Sequence, residues 1–174
     1  VTPPPGLGFR RATVADAALL ADLASRTFAA AFRAGNSPED LALHLETHYT
    51  PAVMREELAH PGCDTIFALV SGAPVGYAQL FDRAPPIDLG PETRMLHRFY
   101  LDPAWIGRGV AGPLMGVVRD SARGQGARSL WLTVWQENPR AIAFYRRSGF
   151  TIRGETTFVV GTDPQRDWIM VCAL

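Results

Sequence analysis

The chain has 174 residues, 47% of them hydrophobic, and its 17 basic side chains balance 17 acidic ones. That length and apolar fraction suit one domain with a buried core and exclude a disordered polymer. The charge balance gives no pull toward nucleic acid or an anionic membrane, and because every basic residue is Arg, lysine Schiff-base chemistry and a lysine general base are excluded.

Val1–Gly8 reads as a flexible leader and 9–174 as a single domain. The opening residues lack the basic stretch and apolar run of a signal peptide. No apolar run approaches the roughly 18 residues of a membrane helix. Cys63 and Cys172 are too isolated for a disulfide framework or a zinc site, so a cytoplasmic protein without a metal is expected. Phe9–Thr13 fits a first strand. From Val14 to Phe32, Leu19, Leu20, Leu23, Ala24 and Phe28 recur at helical spacing, with Asp16 near the helix start. Ser37-Pro38-Glu39-Asp40 reads as a cap, a first-turn proline and an acid, opening a second helix that runs to His48. Pro51 opens a third helix that ends near His60-Pro61-Gly62.

The pattern then changes to strands. Thr65–Val70 and Pro74–Phe81 flank the hairpin signal Ser71-Gly72-Ala73. Ala84–Pro91 is a loop and Thr93–Leu101 a strand. Gly109–Ala122 is helical, Leu130–Trp135 a strand, and Pro139–Ser148 a helix stopped by Gly149. Phe150–Gly161 and Asp167–Cys172 form a last hairpin around Gly161-Thr162-Asp163-Pro164. Helices, a hairpin, two strand–helix units and a closing hairpin predict an α/β domain with a mixed sheet.

The chemical signal is densest after the strand at Leu101. Gly107, Gly109 and Gly112 let the backbone turn tightly and come close to a ligand. The helix that follows offers unpaired N–H groups and the positive end of its dipole, a site for phosphate or diphosphate. Pro113 removes one of those donors. Gly107-x-Gly109-x-x-Gly112 also matches the dinucleotide fingerprint, yet Asp102, Pro103 and Trp105 separate it from its strand. A loop that merely joins strand to helix is the plain alternative. In Val134-Trp135-Gln136-Glu137-Asn138-Pro139, a strand breaks into a short amphipathic helix that Asn138 caps while offering its amide to a ligand. Ile142 and Tyr145 share one face of that helix; alone, Tyr145 also fits a core aromatic.

Together, in this order and spacing, the two segments resemble the acetyl-CoA motifs of the GNAT superfamily of N-acetyltransferases, across Arg98–Phe150. The resemblance implies a mostly antiparallel twisted sheet flanked by helices, the GNAT-like acyl-CoA N-acyltransferase fold, with acetyl-CoA as co-substrate. The pantetheine arm would run along Phe99, Tyr100 and Leu101, and the diphosphate over Gly107, Arg108, Gly109, Val110, Ala111 and Gly112, with Arg108 and Arg140 adding charge. Ile106 stands where the family commonly has Gln or Arg, and Gly112 where Ser or Thr is frequent. Tyr145 matches the position that stabilises the departing thiolate, and an N–H of Tyr100 or Leu101 would receive the carbonyl oxygen. His97 is the leading candidate for general base, beside Glu92, Glu137 or a water chain.

The acceptor would be a small-molecule amine. Arg98-Phe99-Tyr100 and Gly161–Asp167 are similar to the bacterial spermidine/spermine acetyltransferase branch, although Met95 replaces an acid usual there. A polyamine needs carboxylates, and Glu39, Asp40, Glu92 and Glu137 are the candidates. A non-catalytic acetyl-CoA-binding module is the alternative function, and a homodimer stays open. His44-Leu45-Glu46-Thr47-His48 mimics a zinc-protease motif, but its Glu is one position late and no third ligand is evident.

Overall fold

A computed structural model describes all 174 residues. One seven-stranded sheet, in the order β1-β2-β3-β4-β5-β7-β6, runs through the molecule. The strands are β1 (Leu7–Arg11), β2 (Asp64–Val70), β3 (Ala73–Phe81), β4 (Thr93–Leu101), β5 (Ser129–Trp135), β6 (Thr151–Val160) and β7 (Asp163–Ala173). The helices are α1 (Ala17–Phe32), α2 (Pro38–His48), α3 (Pro51–Ala59), α4 (Ala111–Gly124) and α5 (Pro139–Arg147). Every neighbouring pair of strands is antiparallel except β4 and β5.

Alternation along the strands builds a core on each face. Leu130, Leu132 and Val134 of β5 meet Leu114 and Val118 of α4 and Ile142 of α5. On the opposite face, Phe67 and Tyr77 pack against Leu20, Leu23 and Phe28 of α1, with Leu41 of α2 and Met54 of α3. Three helices begin as their sequence specifies. Ser37, Thr50 and Asn138 each accept a backbone N–H from the third residue onward, and a proline follows each cap.

Some boundaries differ from those the sequence predicts. The supposed leader is engaged within the fold: Leu7 and Gly8 pair with Val70 and Leu69, and Gly6 accepts from the Ser71 N–H. Helix α4 starts at Ala111 because Gly109 holds φ +78°, outside helical geometry. Strand β7 starts at Asp163, so Pro164 lies within it. There Pro164 faces Val159 of β6, and β5 joins β7 only from Asp167, so the missing N–H breaks no ladder bond.

Candidate active site

Strands β4 and β5 pair only at Thr93↔Ser129, Arg94↔Leu130 and Met95↔Trp131. Beyond that point β4 keeps β3 on one edge while its other edge has no strand partner. A bulge accompanies the parting. Gln79 pairs with Arg98 and Leu80 with Leu96, leaving His97 as the extra residue. The gap opens into a cavity of about 1190 Å³ that extends from the glycine turn, past α5, to α1 and α2.

At one end of the cavity lies the turn between β4 and α4. Asp102 Oδ1 accepts from the Ala104 N–H at 3.0 Å and shapes the first bend. Gly107 and Gly109 both hold φ +78°, a left-handed conformation that side chains resist. A Cβ on Gly109 would also stand 2.5 Å from the carbonyl oxygen of Thr2, which lies against the turn. Gly112 has ordinary φ and open space around it, so it is not required by the turn itself. No side chain caps α4, and the N–H groups of Gly109, Val110, Ala111 and Gly112 donate to no carbonyl of the chain. Four neighbouring free donors at a helix N-terminus fit a diphosphate. Gly107, Gly109, Ala111 and Gly112 line the cavity. The Arg108 side chain is exposed away from it, and the Val110 side chain belongs to the core, leaving only their backbones toward a ligand.

Helix α5 forms the adjoining wall, with Asn138, Arg140 and Tyr145 on the cavity. Asn138 Oδ1 caps the helix by accepting from Ala141 at 3.1 Å, and its amide nitrogen has no partner in the chain. Phe99 stacks on Phe144 at 5.4 Å and meets the Tyr145 ring edge-on at 6.4 Å, which fixes the phenol beside β4. Only 9% of Tyr145 is exposed, its hydroxyl makes no hydrogen bond within the chain, and burial pushes the phenol well above its ordinary range. It is therefore a neutral donor at any working pH.

The structure brings Phe99, Tyr100, Leu101 and His97 to the same cavity. His97 contacts Phe81 edge-on at 5.5 Å. Burial, then the charges of Arg98 and Arg83, drive its imidazole well below the ordinary value. It stays neutral and holds a proton weakly, a poor match to a base that must deprotonate an ammonium.

Glu39, Asp40, Glu92 and Glu137 do not line the cavity. Asp40 accepts from the Thr162 N–H, and Glu92 sits 3.8 Å from Arg128. The acids that do line it are Glu57, which no motif singled out, and Asp167, the last residue of the Gly161–Asp167 segment. Glu57 accepts from Arg98 and, at 3.1 Å, from the Gln79 amide; Arg98 also donates to Gln79 Oε1 at 2.6 Å and lies over the Tyr49 ring at 4.9 Å. Burial works against the Arg98 charge, but its surroundings hold it firmly protonated. His44 and His48 lie 4.6 Å apart, His44 stacks on Phe28, and no third ligating side chain joins them.

The profile of the acetyltransferase (GNAT) family matches residues 24–150. An uncharacterized N-acetyltransferase of Mycobacterium tuberculosis is 36% identical over 156 residues, covering 90% of this chain and 96% of the relative. Another, from the pepI 3' region of Lactobacillus delbrueckii subsp. lactis, is 34% identical over 153 residues, covering 87% and 88%. The PaiA N-acetyltransferase of Thermoplasma acidophilum, solved with coenzyme A, shares the fold with a TM-score of 0.81 at 17% identity, covering 97% and 99% of the two chains.

Proposed function

The chain belongs to the acetyltransferase (GNAT) family, and from that membership we propose that it passes the acetyl group of acetyl-CoA to the primary amine of a small molecule, by direct attack in a ternary complex. The observation that carries this reading is the parting of β4 from β5 beyond Met95↔Trp131, with the free amides of Gly109–Gly112 at one end of the gap.

The unpaired edge of β4 at Phe99–Leu101 has backbone groups of both kinds for a pantetheine amide, as a neighbouring strand would. The four turn amides suit the diphosphate, and Arg140 adds charge at the cavity rim. When bound, acetyl-CoA supplies an activated acyl carbon and a thiolate leaving group. Tyr145 donates a hydrogen bond to the sulfur as charge gathers there. Giving up its proton outright would already be uphill by about 2 kcal/mol for a phenol near ~10 and a thiol near ~8.5. Burial of Tyr145 widens that gap, so hydrogen bonding is the role its surroundings favour. An N–H of Tyr100 or Leu101 serves the carbonyl oxygen. The Arg98–Glu57–Gln79 cluster holds the floor of the cavity under the acceptor.

The test is thiol release from acetyl-CoA against spermidine, phenethylamine, amino acids, aminoglycosides and peptide N-termini. Amine-dependent turnover supports the reading. Tight CoA binding with no turnover for any amine contradicts it and favours a cofactor-binding module.

A further inference from the structure

Asp167 is 4% exposed, lines the cavity, and has one carboxylate oxygen, Oδ1, with no hydrogen-bond partner. No arginine forms an ion pair with it, and the cavity's other acid, Glu57, is already held by Arg98 and Gln79. An uncompensated buried carboxylate costs several kcal/mol. No cation of the fold neutralises it: its neighbours across the sheet are Trp135 on β5 and Thr156 on β6, and the Thr133 hydroxyl alone favours its ionised form. Ile169, two residues along the same strand, packs with Phe81, Met95 and Trp131, so apolar side chains border Asp167 on that side. Such a group fits a cationic ligand that enters the cavity from outside.

We propose that Asp167 is the acceptor subsite: its carboxylate receives the ammonium of a monoamine, then takes that group's proton, while Trp135 and Phe158 hold the substrate's apolar body. This rests on the amine-acetylating reading above. In the step, an N–H bond of the ammonium breaks and the proton passes to a carboxylate oxygen of Asp167. The freed lone pair attacks the thioester carbon, the C–S bond breaks, and the second N–H proton passes from the acylated nitrogen to the departing thiolate, so that a neutral amide and the CoA thiol leave. Asp167 returns its proton to solvent as products leave.

Burial brings donor and acceptor closer in proton affinity. It pushes Asp167 up to about 6, against a lowering by the Thr133 hydroxyl, and it disfavours the ammonium on the other side of the transfer. The products of the transfer are both neutral, which a desolvated site prefers. The cavity also selects against polyamines. A second ammonium would find no free carboxylate, whereas Arg83 and Arg98, and Arg140 and Arg147 of α5, line the walls.

Around Asp167, β5 and β6 bring only the hydroxyls of Thr133, Thr156 and Thr157 to the cavity. The imidazoles on its walls are His97 of β4 and His44 and His48 of α2. Burial holds His44 at about 4 and His97 well below its ordinary value, so neither gains a proton near 6.

Steady-state kinetics with phenethylamine and spermidine test the assignment in wild type, Asp167→Asn and Asp167→Glu, with CoA calorimetry on each. Wild-type kcat/KM for phenethylamine should exceed that for spermidine and fall as pH drops through about 6. Asp167→Asn should lower it by about 100-fold, the scale of a lost general base, and abolish the acidic limb. CoA affinity should stay within about twofold, and Asp167→Glu should restore part of the rate. A rate for Asp167→Asn within about twofold of wild type, or preference for spermidine, overturns the assignment. If wild type turns over no amine, the reading of function fails by itself, and calorimetry of phenethylamine into CoA-saturated protein decides on Asp167. Binding weakened about tenfold in Asp167→Asn upholds the subsite; equal binding, or none to wild type, removes it.

Discussion

Met95 of β4 pairs with Trp131 of β5, and beyond that pair the two parallel strands share no further register. The strands separate where the bulge at His97 disturbs β4, and Tyr100, Leu101, Tyr145 and Asp167 all line the resulting opening.

Tyr145→Phe keeps the ring that packs on Phe99 and removes only the hydroxyl. Hydrogen bonds to charged groups contribute about 1.5–3 kcal/mol, so kcat should fall by roughly 10- to 100-fold. KM for acetyl-CoA should change by less than about twofold, because the bond forms as the sulfur gains charge. Steady-state kinetics with acetyl-CoA varied separate the two parameters; an unchanged kcat removes Tyr145 from the reaction.

The three glycines of the turn should differ in a fixed order. Gly109→Ala combines φ +78° with a Cβ 2.5 Å from the Thr2 carbonyl oxygen, while Gly107→Ala has the same φ and open space. Gly112→Ala has neither problem, and its gain in helix propensity is set against crowding of the new Cβ by the Pro113 ring. Left-handed φ costs a side chain about 1–2 kcal/mol. Urea unfolding should rank Gly109→Ala least stable, then Gly107→Ala, with Gly112→Ala nearest to wild type. Equal stabilities for all three would contradict the geometry of the turn.

Glu57→Ala strands Arg98, whose side chain is 7% exposed, without its carboxylate. Removing one partner of a buried pair typically costs about 3–5 kcal/mol. Chemical denaturation should show a loss of about 3 kcal/mol, given the partial exposure of Glu57. A double-mutant cycle with Arg98→Met should recover part of it, since the stranded charge is then gone. Purely additive losses would mean the two side chains act independently.

Asp167 opposes stability at neutral pH. Its folded value, about 6, lies above the ordinary 3.8, so folding favours the protonated form. That contribution is present below the unfolded value and is lost as pH rises through about 6. The shift corresponds to roughly 3 kcal/mol. Asp167→Asn should therefore melt higher than wild type at pH 7 and match it near pH 4. His44, held at about 4, works in the opposite direction over a similar range, so the difference between variant and wild type is the quantity to follow. A variant less stable at pH 7 would show that the carboxylate is satisfied in a way the fold does not reveal.

Much of this was readable from the chain. Ser37, Thr50 and Asn138, each followed by proline, fixed three helix starts through local chemistry alone. The glycine turn and Asn138–Tyr145 pointed to one cofactor only together, through the resemblance of their order and spacing to the acetyl-CoA motifs of the GNAT superfamily. What depended on pairing between distant segments was not readable. The bulge at His97 arises from the register between β3 and β4, which composition does not encode. Asp163-Pro164 has turn chemistry, yet its place on β7 outside the β5 pairing lets the proline join a strand. Glu57 reaches Arg98 across 41 residues of sequence, so neither suggested the other. Asp167 looked like the edge of a turn, and its isolation emerges only when β5, β6 and the cavity are assembled around it.

Calorimetric titration of CoA into the folded protein, with Gly109→Ala beside it, probes the diphosphate turn itself. Saturable heat at a single site and clearly weaker binding in the variant are expected. Absence of heat in wild type, or full affinity after the Gly109 turn has been disturbed, would contradict the account.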